Sequence, residues 1–474
     1  MAKDMKIDEA MLERKLEAEV EKYEKDYGSL IEQVANARKE LFGEEWNRFH
    51  TWALGTYLRV WEEMIPVLEE DATTRNLLGP IIKQRLDFVA AQYAGLPITF
   101  LASVQPMTEE VGVVYFRQLK AATTRGGVTK GDVLLSTTGK LASEVAEYYS
   151  EEVTTSVGTI DTGGADPNTF DVTLEHPVVA RTVTIDVGGG KKKAVDDGEG
   201  HILGVDIQGT INYETGELHV EVKLSGLENG DAVTATYSQN LAEASEVPGF
   251  VWELVGTEIR ARGFLLQALY NRISNAVVAR KLGRALDEDI AADVAAQINA
   301  AVMTAALKSV VTEATKAART VEWDASPPSG VSVAEHRKTF PDAVEAAATL
   351  MGEATGRSVV SFIIAGTYGR RILRSLGVNL NYQVQQGPYL AGYWDGIPVY
   401  SATKSLIDDD RVVVGYKGPS WFEAPMVYAP FIPVLTVTGT TGGNVFRQAT
   451  GVAHLAGLKI VVPDFLASVR ITNM

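Results

Sequence analysis

The sequence predicts an α+β chain carrying an inserted antiparallel β module, and three observations predict it. Apolar residues recur every three to five positions near the N-terminus and again between Asp287 and Ala318, the spacing of helices with one buried stripe. From about 156 to 239 the pattern switches to period two in a stretch rich in Gly, Thr, Val and Asp. Elsewhere lie short β-branched runs, such as Ser358 to Ala365 and Val412-Val413-Val414, that read as buried strands.

Taken in order, residues 1–45 place Ile7, Met11, Leu16, Val20, Tyr23, Tyr27, Leu30 and Val34 on one narrow stripe among dense Glu and Lys. Two readings stand: an exposed arm that packs its stripe on a neighbour, or a scaffold-like segment that works only during assembly. Helical style continues over 46–95, with Trp46, Trp52, Tyr57 and Trp61 as large anchors. Val104-Gln105-Pro106-Met107 is a proline-broken turn, and Gly112-Val113-Val114-Tyr115-Phe116-Arg117 is a strand able to pair with another backbone. Strand-like pieces over 105–155 are separated by Gly126-Gly127 and Lys130-Gly131.

In the period-two stretch, Phe170, Val172 and Leu174 share a face. So do Val183, Ile185 and Val187; Leu218, Val220, Val222 and Leu224; and Val233, Ala235 and Tyr237. Gly188-Gly189-Gly190, Asp197-Gly198, Glu214-Thr215-Gly216 and Asn229-Gly230 supply the turns. After Pro248, Val251 to Gly263 reads as a strand and Asp287 to Ala318 as the longest helix of the second half. Pro327-Pro328-Ser329-Gly330 marks a loop, and Phe340 to Thr355 reads as a helix begun by Pro341. Ser358 to Ala365 is a strand followed by a helix to Leu376, with short strands beyond.

At 474 residues the chain exceeds one ordinary core, and about two to four domains are expected. Its 46% hydrophobic and 22% charged content is that of a globular chain. A net charge of −17 argues against a protein that grips nucleic acid through a basic stripe. With no cysteine there are no disulfides and no thiolate metal sites. The first residues lead into charged helix rather than an apolar signal segment, and no run approaches the ~18 apolar residues of a membrane span. A soluble, intracellular chain is expected.

Asp161-Thr162-Gly163 matches the tripeptide of aspartic proteases of retroviral type, which pair two aspartates across a dimer. Here it runs into Gly164-Ala165-Asp166-Pro167-Asn168, a turn sequence, and the turn is the expected role. Gly188-Gly189-Gly190-Lys191-Lys192-Lys193 lacks the offsets and the following helix of a phosphate loop and reads as a hairpin tip with solvated lysines. Asp408-Asp409-Asp410 and Asp287-Glu288-Asp289 with Asp293 read as solvated or helix-capping carboxylates. The histidines at 50, 176, 201, 219, 336 and 454 have no ligand spacing. No catalytic residue, metal site or cofactor is expected.

An ordered series of blocks resembles the T-even-type major capsid proteins of tailed phages. Val104-Gln105-Pro106-Met107 and its aromatic strand are one block. Leu78-Gly79-Pro80-Ile81-Ile82 with Gly95-Leu96-Pro97 precedes it. Glu258-Ile259-Arg260-Ala261-Arg262, Val359 to Leu376, and Gly396-Ile397-Pro398-Val399-Tyr400 follow. Val412 to Gly418 and Tyr428-Ala429-Pro430-Phe431-Ile432-Pro433-Val434 complete the series. The module at 156–239 lies outside the resemblance, and the stretch Phe446 to Met474 lacks the family's aromatic-glycine ending.

The resemblance implies the Hong Kong 97-type phage capsid fold. Its parts would be a helical arm at 1–100, outgoing extended-loop strands at 101–155 and the inserted module at 156–240. A returning strand and spine helix at 241–320, an axial domain at 321–445 and returning strands at 446–474 would complete it. It implies a shell subunit assembled in the host cytoplasm into hexamers and pentamers of the virion capsid. That shell encloses DNA without sequence-specific binding and meets scaffold, portal, vertex and decoration proteins, but no membrane. A cellular nanocompartment shell of encapsulin type is the alternative. Interface residues expected on this reading are Gln105, Pro106, Met107, Tyr115, Arg117, Arg125, Gly126, Gly127, Lys191, Lys192, Lys193, Tyr382, Gln385 and Tyr389. Leu30-Ile31-Glu32 and Leu68-Glu69-Glu70 fit the family's maturation-cleavage pattern, with cuts after Glu32 and Glu70.

Overall fold

The computed structural model describes residues 9–70, 90, 92–244, 247–271, 273, 277, 280–281, 286–377, 389–440 and 447–473. The chain divides into two units. Met1–Arg117, Glu253–Gly352 and Arg357–Met474 form the first; Gln118–Trp252 with Glu353–Gly356 form the second. No described helix is long and apolar enough to cross a membrane.

In the first unit, helices α1 (Glu9–Phe42) and α2 (Arg48–Glu70) form an antiparallel hairpin. The α1 stripe of Leu16, Val20, Tyr23, Tyr27, Ile31 and Val34 is buried, and from Tyr23 onward it shares one core with Ala53, Leu54, Tyr57, Leu58 and Trp61 of α2. Ile31 fills the position expected of Leu30, which is half-buried. The helices touch closely at Gly55, where a Cβ would lie 2.3 Å from the Tyr23 ring. The stripe is thus consumed inside the subunit.

The same core takes in Val294, Ile298, Val302 and Leu307 of a long helix and one face of a four-stranded sheet. Its strands are β1 (Ala102–Val104), β13 (Arg262–Asn271), β19 (Met426–Thr440) and β20 (Arg447–Ile460), in the order β1-β19-β20-β13. A second sheet has six strands: β14 (Thr320–Asp324), β15 (Phe362–Ala365), β16 (Tyr389–Trp394), β17 (Ile397–Ser401), β18 (Arg411–Gly415) and β21 (Leu466–Thr472), ordered β14-β21-β18-β15-β17-β16. Alternation divides its sides: Phe362 and Ile364 join the main core, while Ile363 and Ala365 join a second one. That second core is closed by Phe340, Val344, Ala347 and Met351 of the helix Phe340–Thr355.

Between α2 and that helix, three further helices are bounded by described residues. They are α3 (Ala142–Tyr149), α4 (Leu286–Ala314, the long helix) and α5 (Val333–Arg337), so Phe340–Thr355 is α6 and Thr367–Ser375 is α7. Ser332 caps α5 in the reciprocal manner its sequence suggests: its Oγ accepts from Glu335 N while the Glu335 carboxylate accepts from Ser332 N.

Strands β2 (Val111–Ala121) and β12 (Phe250–Arg260) lead the chain into and out of the second unit. There β3 (Val133–Leu134) and α3 build a small core with Leu119, Val128, Leu134, Val145 and Tyr148. The remainder is an eight-stranded antiparallel sheet from Glu152 to Ser238: β4 (Glu152–Thr159), β5 (Asn168–Thr173), β6 (Thr184–Val187), β7 (Lys192–Asp196), β8 (His201–Gly204), β9 (Ile207–Ile211), β10 (Glu217–Val222) and β11 (Ala232–Ser238). Its order is β4-β11-β6-β7-β8-β9-β10-β5. The end strands curl together, since a Cβ on Gly158 of β4 would meet the Phe170 ring of β5 at 2.6 Å. Ile185, Val187, Leu218, Val220, Val222, Val233, Ala235 and Tyr237 all point into one core, as their alternation requires.

One polar cluster in the first unit is buried. Arg38, 1% exposed near the end of α1, donates to Glu44 Oε2 at 2.6 Å and to the carbonyls of Tyr93 at 2.9 Å and Leu96 at 3.1 Å. It also donates to Thr99 Oγ1 at 2.6 Å. Burial opposes ionisation of Glu44, but hydrogen bonding from His50 and the charge of Arg38 outweigh it and hold the carboxyl at about 2. From the opposite side Lys417 donates to the Thr99 carbonyl and lies 5.6 Å over the Trp421 ring. Trp421 is itself stacked on Phe49 of α2 at 5.5 Å and donates to Val104 O at 3.0 Å.

Two stability outcomes follow from these contacts. Gly55→Ala forces a Cβ into the Tyr23 ring and costs roughly 1–3 kcal/mol, whereas Gly28→Ala, with nothing within 4 Å, gains roughly 0.5–1 kcal/mol. Urea unfolding of the two variants checks both signs. Burial, then the nearby Arg38 charge, lowers the Lys417 pKa from 10.5 to about 8, Glu44 opposing. The unfolded chain therefore holds that proton more tightly, so the lysine disfavours folding below about pH 8 and this cost disappears as pH rises toward 10.5. Relative to Lys417→Met, the wild type should gain on the order of 3 kcal/mol between pH 7 and 10.5; a constant difference in paired melts would contradict it.

Candidate assembly surfaces

The Val-Gln-Pro-Met block pairs with its own chain. Gln105 N donates to Tyr428 O at 2.9 Å and Met107 N to Pro430 O at 2.8 Å, extending the parallel pairing of β1 with β19 beyond the strand end. The buried Gln105 side chain then behaves like a strand edge toward β2. Its Nε2 donates to Tyr115 O at 2.7 Å, and its Oε1 accepts from Tyr115 N at 2.8 Å. Met107 is buried beside Val114 and Ile259, while Pro106, Tyr115 and Arg117 are half-buried. In the single chain Gln105 and Met107 are internal joints, not exposed contact residues.

The Arg125-Gly126-Gly127 turn divides in the same way. Arg125 is buried, with Nε 3.0 Å from Glu175 Oε2 and Nη1 donating to Tyr148 O at 3.1 Å. Gly126 and Gly127 are exposed, and Gly126 N donates to Glu175 Oε1 at 2.7 Å. At the β6–β7 hairpin the three glycines take positive φ, as a tight tip demands. The lysines, however, are not simply solvated. Lys191 Nζ lies 2.9 Å from Asp231 Oδ1, Lys192 Nζ 3.1 Å from Asp206 and 2.9 Å from Lys223 O, and Lys193 Nζ 3.3 Å from Asp186. Lys192 and Lys193 belong to β7. The stretch Glu152–Ser238 holds fifteen acidic and five basic side chains, so these lysines answer local carboxylates and form no basic stripe.

Tyr382 and Gln385 lie outside the described residues, and Tyr389 begins β16. Glu32 sits in the middle of α1 and Glu70 ends α2. Asp161 is the head of a turn, its Oδ1 accepting from Gly163 N at 2.9 Å while Asn168 ties its backbone at both sides. His454 is fully buried, its ring 2.9 Å from the Tyr428 hydroxyl, and burial lowers its pKa to about 4. Asp408, Asp409 and Asp410 face Arg411, Lys404 and Arg470. Among the described residues no group of acidic or histidine side chains is arranged to hold a metal.

The surface that sequence reasoning missed lies on the four-stranded sheet. Phe264 and Ala268 of β13 pack on the main core, so alternation turns Leu265, Gln267 and Leu269 to the other face. Their cross-strand partners on β20 are small: Ala453, Gly451 and Ala449. Leu265 is 74% exposed and Leu269 65%, and a depression of about 310 Å³ runs between Leu265, Leu266, Leu435, Gly451 and Ala453. Farther along β20 the same face is covered by the subunit itself, because Leu455 packs with Met107, Val114 and Ile259. One end of the face is roofed by the chain's own strands, and the other end is bare. β13 is also the last strand of its sheet, with one edge unpaired among the described residues.

The described residues of the first unit thus leave apolar sheet surface and a strand edge uncovered. Residues 277–462 match the model of the family described as Major capsid protein Gp23. That match, over residues 277–462 of 474, supports a phage major capsid protein, a structural subunit of a head shell. The nanocompartment alternative is not favoured by this match.

No curated protein matches the chain. Among solved structures it is similar to one from Microbacterium phage Oxtober96, with 13% identity and a TM-score of 0.30, covering 49% of this chain and 81% of that one. It is similar to the capsid structure of the cyanophage P-SCSP1u, with 9% identity and a TM-score of 0.30, covering 49% and 79%. The crystal structure of a virus-like particle from Pyrococcus furiosus follows, with 12% identity and a TM-score of 0.28, covering 48% and 82%.

The internal role of Gln105 is open to direct measurement. Gln105→Leu strands the Tyr115 N–H and carbonyl and should cost roughly 2–6 kcal/mol, about 1–3 for each group left without a partner. Gln105→Glu keeps the acceptor and should lose about half as much. A Gln105→Leu subunit as resistant to urea as the wild type would show that the amide holds nothing.

Proposed function

We propose that this subunit tiles into hexamers and pentamers with a Hong Kong 97-type organisation. In that reading α4 and the four-stranded sheet form the peripheral domain, and the six-stranded sheet with α6 and α7 forms the axial domain. β2, β12 and the second unit make an extended loop carrying the β module, and the helical hairpin stands at the arm position. The shell is assembled in the host cytoplasm around DNA that it encloses without reading, which suits a net charge of −17. Scaffold, portal, vertex and decoration proteins are the partners such a shell calls for. Pro106, Tyr115, Arg117, Gly126, Gly127, Lys191, Lys192, Lys193, Tyr382, Gln385 and Tyr389 remain proposed contact positions, while Gln105, Met107 and Arg125 are buried within the single chain.

The observation that supports this reading most is the half-roofed sheet face. Its covered end shows what fits there, a pair of extended strands bringing Val114 and Ile259 down onto the sheet. Its bare end presents Leu265 and Leu269 beside small neighbours, and a strand-bearing segment of a second copy would bury them. At about 25 cal/mol per Å² such patches contribute little singly, but a closed shell repeats each contact many times. Leu265→Glu combined with Leu269→Glu should change subunit stability by no more than about 1 kcal/mol, since both side chains are exposed. The same pair should abolish particles in sedimentation. Particle yield equal to the wild type would sink the proposed surface.

A further inference from the structure

We propose that Glu175 is a clasp that fixes the pose of the β module on its root, the part of the second unit formed by residues 118–150 and 247–252. When the clasp opens, the module swivels as one body. This concerns the subunit alone and does not depend on the shell reading. Two cores stand apart in the second unit. Every buried side chain of the module's core lies between Val153 and Tyr237. The root has its own core of Leu119, Ala121, Val128, Leu134, Val145 and Tyr148. The two share no residue, so neither needs the other to bury its apolar side chains. The chain passes between them through two strand ends lying side by side. Glu152 of β4 pairs with Ser238 of β11, and Gln239 N donates to Glu151 O at 2.8 Å. Such a pair of strand ends is an axis, because residues at element termini take up hinge motion through changes in φ and ψ.

Beside that axis the joint is polar and loosely filled. A depression of about 290 Å³ opens between Thr123, Thr124, His176, Gln239 and Pro248. Gln239 is 6% exposed; its Nε2 donates to His176 O at 3.2 Å, and its Oε1 has no donor among the described residues. A small polar joint between two self-sufficient cores permits relative motion unless something locks it. Glu175, just beyond β5, is that lock. Its Oε2 accepts from Arg125 Nε at 3.0 Å and its Oε1 from Gly126 N at 2.7 Å, so both oxygens are held by the root. Glu175 N donates to the Tyr237 hydroxyl at 2.9 Å, which ties this residue to the module's core. Arg125 is buried and also donates to the carbonyls of Tyr148 at 3.1 Å and Glu151 at 3.4 Å, so the guanidinium stays with the root. A charge-assisted contact with both carboxylate oxygens engaged sets direction as well as distance. The clasp can also let go: the Glu175 side chain is 29% exposed and water can take it, while Arg125 keeps its two carbonyl acceptors.

The chain has no cysteine, so an introduced pair carries spin labels without background. Lys130→Cys marks the root and Thr210→Cys the module, both at exposed positions. Pulsed electron resonance on the full-length chain should give one narrow distance peak with Glu175 in place. Glu175→Ala should lose that peak to a broad distribution. Glu175→Gln, which keeps an acceptor for Gly126 N, should fall between the two. Hydrogen exchange in β6 and β11 should stay as slow as in the wild type throughout, because the module's core is its own. An unchanged narrow peak in Glu175→Ala would overturn the proposal, as would a broad distribution before Glu175 is altered. Loss of exchange protection in the module on Glu175→Ala would overturn it too, since Glu175 would then belong to the module's fold and not to its pose.

Discussion

A long β-strand buried on both faces needs cover along its whole length, and β20 receives it only in part. One face is sealed by α4 and the helical hairpin, where Val452, His454 and Ala456 are almost wholly buried. The other is sealed near Leu455 by Met107, Val114 and Ile259, then opens where Ala453 and Ala449 oppose the exposed Leu265 and Leu269. The first face carries the main core of the subunit, and the second leaves apolar side chains in water.

The internal joints explain how the covered end is held. Gln105 stands between β1 and β2, lending its amide to Tyr115 as though it were another strand. Its backbone and that of Met107 continue on β19. Through these few atoms the strands that lead to the second unit are fixed over the sheet. Exposed Val111 and Val113 on β2, and Phe250 and Val251 on β12, extend the list of apolar side chains that the single chain leaves in water.

Much of the fold was legible because periodicity reports burial directly. The helix Phe340–Thr355 was read to the residue, and the inward set of the β module followed from alternation alone. Strands β7, β8 and β9 are short and held by turns, so their alternation is too brief to stand out beside Leu218 to Leu224. Arg38 was invisible for a different reason: on a helix dense in Glu and Lys, a buried arginine has the same local pattern as a solvated one, and only carbonyls about 55 residues away distinguish it. Gln105 stood out as part of a motif, but a polar side chain after a strand gives no sign of which backbone it will complete. The lysines at 191–193 looked solvated since two of their partners, Asp206 and Asp231, lie 14 and 40 residues farther along the chain, outside the strands. The bare half of the sheet could not be read at all; it depends on how far β2 and β12 reach over β20.

The most direct test is an electron cryo-microscopy map of particles assembled from the wild-type chain. Density from a neighbouring copy should lie over the row of Gly451 and Ala453, with Leu265 and Leu269 enclosed. A closed particle in which that row faces open solvent would contradict it.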